Sequence, residues 1–401
     1  MSAATATVLI RGSGVAAATA ARLLADDGFA LAGAGASSPL PPSRERSETW
    51  VPLLGRPSRS GEGLLLSSLV SAKKEEDPLP TLSREGGRGL KSLDSAPVGD
   101  GGRSSAPVIM LSDQALALLR DLFGRVDLFV GRSRITHRIV AWGESEPATF
   151  PHAAIAVTGS DIAAELPLPP MQPPEGDPFF TIHAATPFPA AAVRRFGQRE
   201  AMAAAVDLAP EADAQACHVE ATDSGWLFLI PHGDRSAWLL AVGGTPDTLL
   251  GRSRLVAAQV RHLASVTARF ETAPRMLETM VGDDWLACGT SAIAFDPICG
   301  DGTAQAAREA ILAAAVIAAL RDGGDPAALL GHYQSMLIAA MRRHLQLSLS
   351  FYRSGGTSPW WRAQADALAD GHAWCTARLA TMPEPRFLLR GARLVPREQA
   401  A

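Results

Sequence analysis

The stretch Phe295-Asp296-Pro297-Ile298-Cys299-Gly300-Asp301-Gly302-Thr303-Ala304 runs straight into an alanine-rich segment of helical character. Two glycines one residue apart let a backbone turn tightly and come close to a flat or anionic ligand. The helix behind them aims its free N–H groups and positive dipole end at that ligand. A second glycine turn, Gly12-Ser13-Gly14-Val15-Ala16-Ala17, follows the apolar run Val8-Leu9-Ile10. It reads GxGxxA between a strand and a helix. There a pyrophosphate can sit against backbone N–H groups, and Ala17 is small enough for helix and strand to close. In a third segment, Gly225-Trp226-Leu227-Phe228-Leu229-Ile230-Pro231, Trp226 and Phe228 fall on one face of a strand. That face is either a wall for an aromatic ligand or a core strand with large residues turned inward.

These residues need elements to position them. Thr5 to Arg11, Ala16 to Asp27 closed by Gly28, and Phe29 to Ala32 read as strand, helix and strand, half of a βαβ unit. Such units place an acid about 20 residues after the glycines to take ribose hydroxyls. Here Leu31-Ala32-Gly33-Ala34-Gly35-Ala36 has none. From Ser37 to Ala106 Pro, Ser, Gly and Arg mix without period, which predicts a disordered insertion with no core of its own.

Val108 to Leu122 then predicts an amphipathic helix, and Ile135 to Trp142 and Ala153 to Val157 predict strands. Beyond the stiff proline-rich connector at 167–174 come Phe179 to Ala184, Ala201 to Leu208, Cys217 to Ala221, Gly225 to Ile230 and Ser236 to Val242. Their close spacing predicts an antiparallel sheet. A helix over Pro246 to Val266 is expected next, then a buried strand, Trp285 to Cys288, that delivers Gly289. The rest, from about 304 to 380, reads as helical.

The chain has 401 residues, enough for one large domain or two joined ones. A net charge of -4 argues against nucleic acid as the main partner. The longest apolar run, Ala310 to Leu320, is shorter than a membrane span, and the N-terminal residues lack a secretory pattern, so a cytoplasmic protein without a membrane partner is expected. Cys217, Cys288, Cys299 and Cys375 form no CxxC pair, which predicts buried thiols and no metal site.

Taken in order, the three glycine-bearing segments resemble the FAD-dependent aromatic hydroxylases of the p-hydroxybenzoate hydroxylase fold, in the branch with the tryptophan halogenases. The resemblance covers residues 1 to about 36 and about 107 to 365. It implies an α/β fold: a glutathione reductase-type FAD-binding domain with an inserted antiparallel β-sheet substrate domain and a helical C-terminal segment. The FAD-binding domain would take residues 1–36, 107–160 and 281–330, with the insertion at 37–106, the substrate domain at 161–280 and the helical segment at 331–401.

By the same resemblance Gly12, Gly14, Ala17, Gly289, Thr290, Asp296, Pro297, Gly300 and Gly302 bind FAD. Thr290 stands where the family has an aspartate for a ribityl hydroxyl. Trp226, Phe228 and Pro231 line the substrate passage, with Phe228 in place of a second tryptophan.

The implied chemistry is monooxygenation of an indole- or phenol-like substrate through a flavin C4a-hydroperoxide. Electrons would come from NAD(P)H or a separate flavin reductase. A halogenase is the first alternative, but Lys73, Lys74 and Lys91 lie in the low-complexity stretch and none matches the family's catalytic lysine. A flavin-fold accessory protein with weakened FAD binding is the second. Asp301 and Glu309 read as a helix N-terminal acid and a surface residue. His152 and His232 read as turn residues before bases, and Phe351-Tyr352-Arg353 with Trp360-Trp361 caps the cavity or packs on the sheet.

Overall fold

Apolar runs bounded by glycine turns build a four-stranded parallel sheet around the first motif. The computed structural model describes residues 6–33 and 107–397, except 172, 175, 186, 187, 189–191 and 301. Gly35, Lys73, Lys74, Lys91, Asp301 and the stretch 37–106 lie outside the described residues.

The chain opens with β1 (Thr7–Arg11), α1 (Val15–Asp26) and β2 (Ala30–Gly33), as the first motif predicts. After the stretch outside the described residues come β3 (Val108–Ser112), α2 (Asp113–Phe123), β4 (Ser133–Ala141), β5 (Ala148–Thr158), α3 (Gly159–Glu165), β6 (Phe180–His183) and β7 (Val193–Arg195). The central strands are β8 (Glu200–Leu208), β9 (Ala216–Thr222), β10 (Gly225–Pro231) and β11 (Ser236–Val242), followed by α4 (Pro246–Leu250) and β12 (Val260–Glu271). Three short strands, β13 (Arg275–Leu277), β14 (Trp285–Ala287) and β15 (Ile293–Ala294), lead into α5 (Gly302–Arg321), α6 (Pro326–Ser354) and α7 (Pro359–Ala380). A hairpin, β16 (Phe387–Arg390) and β17 (Arg393–Pro396), ends the described chain.

The parallel sheet has the order β14-β6-β1-β2. β6 therefore does not join the antiparallel sheet expected for Phe179 to Ala184; it pairs in parallel with both β1 and β14. Its four residues are all buried, which suits a strand covered on both faces. The second sheet runs β12-β8-β11-β10-β9-β4-β5-β3, antiparallel except where β4 meets β9 in parallel. Along β10, Trp226, Phe228 and Ile230 face the main core, whereas Leu227 and Leu229 face a smaller cluster that includes Leu249 of α4.

Three expectations about elements are overturned. Val108 to Ser112 is a strand, not the first turns of a helix: Val108 and Met110 face one core and Ile109 and Leu111 another. A strand buried on both sides has no alternation to read. Its Ser112 instead caps α2, the side chain accepting from the Ala115 N–H at 3.1 Å.

The helix expected over Pro246 to Val266 stops at Leu250 because the buried Glu220 carboxylate captures the next turn. It accepts from the backbone N–H groups of Arg254 (2.6 Å), Leu255 (3.1 Å) and Val256 (2.8 Å), and from the Ser253 hydroxyl. The C-terminal segment is not wholly helical either, since β16 and β17 close it, and Arg393 pairs with Asp27.

By length and composition α5 could cross a membrane, but 72% of its most apolar window is buried inside the protein. It is a core helix against which α1 packs.

Candidate functional site

Parallel strands deliver the turns that follow them to one edge of the sheet. Arg11 of β1 and Ala287 of β14 are both in register with His183 of β6, so Gly12 and Gly289 emerge side by side at the carboxyl ends. Open α/β sheets bind ligands in that crevice. Gly12, Gly14, Gly289 and Gly300 hold φ of 120°, 89°, 83° and 77°, in the region that favours glycine.

The Gly289 turn touches both helices. A Cβ on Gly289 would lie 2.9 Å from the Ala16 Cβ in the first turn of α1. Its N–H donates to Glu309 Oε2 of α5 at 2.9 Å. At their far ends α1 and α5 meet again, where Arg321 Nη1 donates to the Asp27 carbonyl at 2.7 Å. The two helices therefore run in parallel, and both N-termini point to the edge where Gly12 and Gly289 lie.

The N-terminus of α1 is also unsatisfied by side chains. Gly14 is its N-cap, with no side-chain cap and no acid in the first turn. α7 shares this lack, whereas α2, α3, α4 and α6 are capped by Ser112, Thr158, Thr245 and Asp325. Backbone donors left open at a helix start suit a phosphate.

The loop at 295–300 is fixed from below by a stripe of α6. His344, Ser348 and Tyr352 are four residues apart and share one buried face. The Asp296 N–H donates to His344 Nε2 at 2.7 Å, Ser348 Oγ lies 3.1 Å from Cys299 Sγ, and the Tyr352 hydroxyl donates to Asp296 Oδ2 at 2.8 Å. Burial, and then Arg199, pull His344 down to about 3, which leaves the imidazole neutral and able to accept. Phe295 stacks on its ring at 4.2 Å.

Asp296 has no exposed side-chain surface, and neither does Arg199, whose Nη2 lies 2.9 Å from Asp296 Oδ2. Burial pushes the Asp296 carboxyl up, opposed first by Arg199 and then by the Ile298 N–H at 2.9 Å. Arg199 in turn donates to Gln364 of α7 at 2.9 Å and lies over the Tyr352 ring. The Asp296 carboxylate therefore ties this loop directly to Tyr352 of α6 and to Arg199, through which it reaches Gln364 of α7, and it presents no surface to a ligand.

Pro297, the next residue, lines a cavity of about 480 Å³, its mouth included. The second sheet supplies most of the wall: Ala203 of β8, Phe228 and Ile230 of β10, and Trp238 and Leu240 of β11. Met110 of β3 closes one side. Phe228 and Pro297, from two segments far apart in sequence, thus share one cavity.

Trp226 and Pro231 are not among its lining residues. Trp226 is buried and donates from Nε1 to the Tyr352 hydroxyl at 3.2 Å, and Pro231 pairs with Ala237. Ala17 is packed in the core with the rest of the α1 inner face. Neither His152 nor His232 lines the cavity; burial lowers both, and His152, held by Arg138, falls to about 4. Trp361 packs over Gly355 and Gly356 and donates to the Thr222 carbonyl at 2.8 Å, so it seals the helices onto the sheet.

Arg199, Gln364, His344 and Ser348 had not stood out in the sequence. The legible signal was the spacing of His344, Ser348 and Tyr352 on the inner face of a long helix.

No family model matches this sequence, and no curated protein matches it. Solved structures do. The peptidyl tryptophan dihydroxylase QhpG, essential for tryptophylquinone cofactor biogenesis, superposes with a TM-score of 0.61 at 18% identity, covering 90% of this chain and 79% of its own. The myxobacterial chondrochloren halogenase CndH, a variant of FAD-dependent halogenases, gives 0.61 at 14% identity over 95% and 92% of the two chains. The p-nitrophenol 4-monooxygenase PnpA from Pseudomonas putida DLL-E4 gives 0.55 at 11% identity over 94% and 96%. The chain has the fold of the FAD-dependent monooxygenases and halogenases.

The residues present fit a dinucleotide at this edge: glycine turns on β1 and β14, and a helix start without a side-chain cap. Glu309 underlies the same edge. It is 2% exposed, which corrects its reading as a surface residue. Burial pushes its carboxyl up to about 8, from an ordinary value of 4.5.

Between about pH 5 and 8 the folded protein therefore holds a proton that the unfolded chain has released. Stability falls as pH rises through that window. Glu309→Gln removes this dependence, so by pH 9 the variant is the more stable by up to a few kcal/mol, while at pH 5 the two are close. Thermal melts across pH 5 to 9 check it; parallel curves would show that the carboxyl ionises normally.

Proposed function

We propose that this protein is a FAD-dependent oxidoreductase that hydroxylates an aromatic, indole- or phenol-like substrate. The observation that carries the reading is the convergence of the α1 start and the Gly289 turn at one sheet edge, with Pro297 joining the neighbouring loop to an apolar cavity. An extended cofactor fits such an edge, with its phosphates at one end and its reactive ring at the other.

Gly12, Gly14 and the first turn of α1 would hold the pyrophosphate. Gly289 and Thr290 would hold the ribityl chain, and the loop Pro297 to Gly302 would lie beside the isoalloxazine. Bound FAD supplies the oxygen activation and transfer that side chains cannot. The protein's own part is to place the ring and exclude water. Phe228 and Trp238 offer flat surfaces for stacking, and Ile230, Leu240 and Pro297 keep the cavity dry. The amide donors at the start of α5 would stabilise negative charge on a reduced flavin bound beside them. Electrons would reach the site from NAD(P)H or from a separate flavin reductase.

Thr290 favours a second reading, a flavin-fold accessory protein with weakened FAD affinity, because a hydroxyl replaces a charge-assisted hydrogen bond with a neutral one. The visible absorption spectrum separates the two. Purified protein mixed with FAD and desalted is expected to stay yellow, with a flavin band. A colourless protein after the same treatment would overturn the enzyme reading. For a yellow protein, product mass with and without chloride or bromide divides hydroxylation from halogenation.

A further inference from the structure

Among the described residues, none that lines the cavity closed by Pro297 carries a charged side chain. Among the described residues that form it, the indole N–H of Trp238 is the one side-chain N–H or O–H donor. Nearby Arg199 cannot serve as a counter-ion, because its side chain is fully buried and paired with Asp296. A carboxylate or ammonium carried into this space would lose its water and find no charged partner among the described lining residues, at a cost of several kcal/mol. Phe228 and Trp238, in contrast, offer two aromatic surfaces on the wall of this space.

We infer that the group this cavity takes is an uncharged aromatic ring, an indole or phenol free of carboxylate and ammonium groups inside the pocket. Free aromatic amino acids and aryl carboxylates are excluded. The inference rests on the flavin reading only for what happens to the ring once bound; selectivity against charge follows from the described lining residues.

Titration calorimetry on the FAD-loaded protein tests it, with indole against L-tryptophan and phenol against 4-hydroxybenzoate. The neutral member of each pair is expected to bind about 100-fold more tightly or better. Ala203 faces Leu240 across β8 and β11 at the cavity wall. Ala203→Phe should fill the space and abolish the indole signal with the flavin band unchanged, and Ala203→Val, the milder change, should weaken it in part.

Equal affinities within a pair would overturn the inference, as would failure of all four probes to bind. Displacement of FAD by indole would also overturn it, by showing that the cavity is the bed of the flavin ring itself. Should the protein take up no FAD, the flavin reading fails by its spectrum. The same four titrations on the FAD-free protein still decide the selectivity.

Discussion

Arg199→Met is expected to destabilise the protein by about 3–5 kcal/mol and to abolish FAD retention, the largest effect of any single substitution considered. The size follows from burial: Asp296 and Arg199 have no exposed side-chain surface, so removing the guanidinium leaves a carboxylate unpaired in the interior. Tyr352 and the Ile298 N–H still donate to that carboxylate, but neither carries charge. The loop that bears Pro297 and Gly300 loses its tie to the residue preceding β8 and to α7 at once, because the same side chain also holds Gln364.

Denaturant unfolding gives the stability, and the absorbance of desalted protein gives the flavin. Arg199→Met combined with Asp296→Asn should recover much of the loss, since the unpaired charge is then gone. Arg199→Lys should recover less than the charge alone implies, because lysine cannot reproduce the fork to Asp296 and Gln364 or the stacking on Tyr352. If Arg199→Met melts and binds FAD as the wild type does, the loop is not held by this pair.

The second large effect is expected from Gly289→Val. A β-branched residue at φ 83° is strained, and its Cβ would fall 2.9 Å from the Ala16 Cβ, well inside contact distance. Strain and overpacking each cost on the order of 1–3 kcal/mol. Both act where α1 starts, so the crevice widens and FAD affinity is expected to fall at least about tenfold. Gly124→Val supplies the control: Gly124 also has a positive φ, 62°, but nothing lies within 4 Å of its would-be Cβ. That variant should lose about 1–2 kcal/mol of stability and keep its flavin. Equal effects at the two positions would mean that the contact with Ala16 carries no weight.

Much of the fold was legible because its signals are local. The run Val8-Leu9-Ile10, the glycine turn and the alanine-rich helix specify β1, α1 and their junction within some 20 residues, and alternation along β10 already separated Trp226 and Phe228 from Leu227 and Leu229. Where the reading failed, a distant partner had overruled a local preference. Pro246 to Val266 has helical composition, yet Glu220, more than 30 residues upstream, takes the N–H groups a longer helix would have used internally.

Side-chain roles were less legible still. Asp296 belongs to a recognisable motif, but its use as a buried anchor depends on Arg199, Tyr352 and Gln364, which come from three separate stretches of the chain. Glu309 could not be told from a surface acid until α5 was seen against the Gly289 turn.

By itself, then, the sequence determined where the backbone must turn tightly and which faces must be apolar, since glycine freedom and side-chain period act between near neighbours. Only the tertiary structure decided that β6 lies between β1 and β14, that Pro297 and Phe228 share a cavity, and which charges are buried and paired. Those outcomes depend on contacts between segments far apart in the chain, which no local pattern encodes.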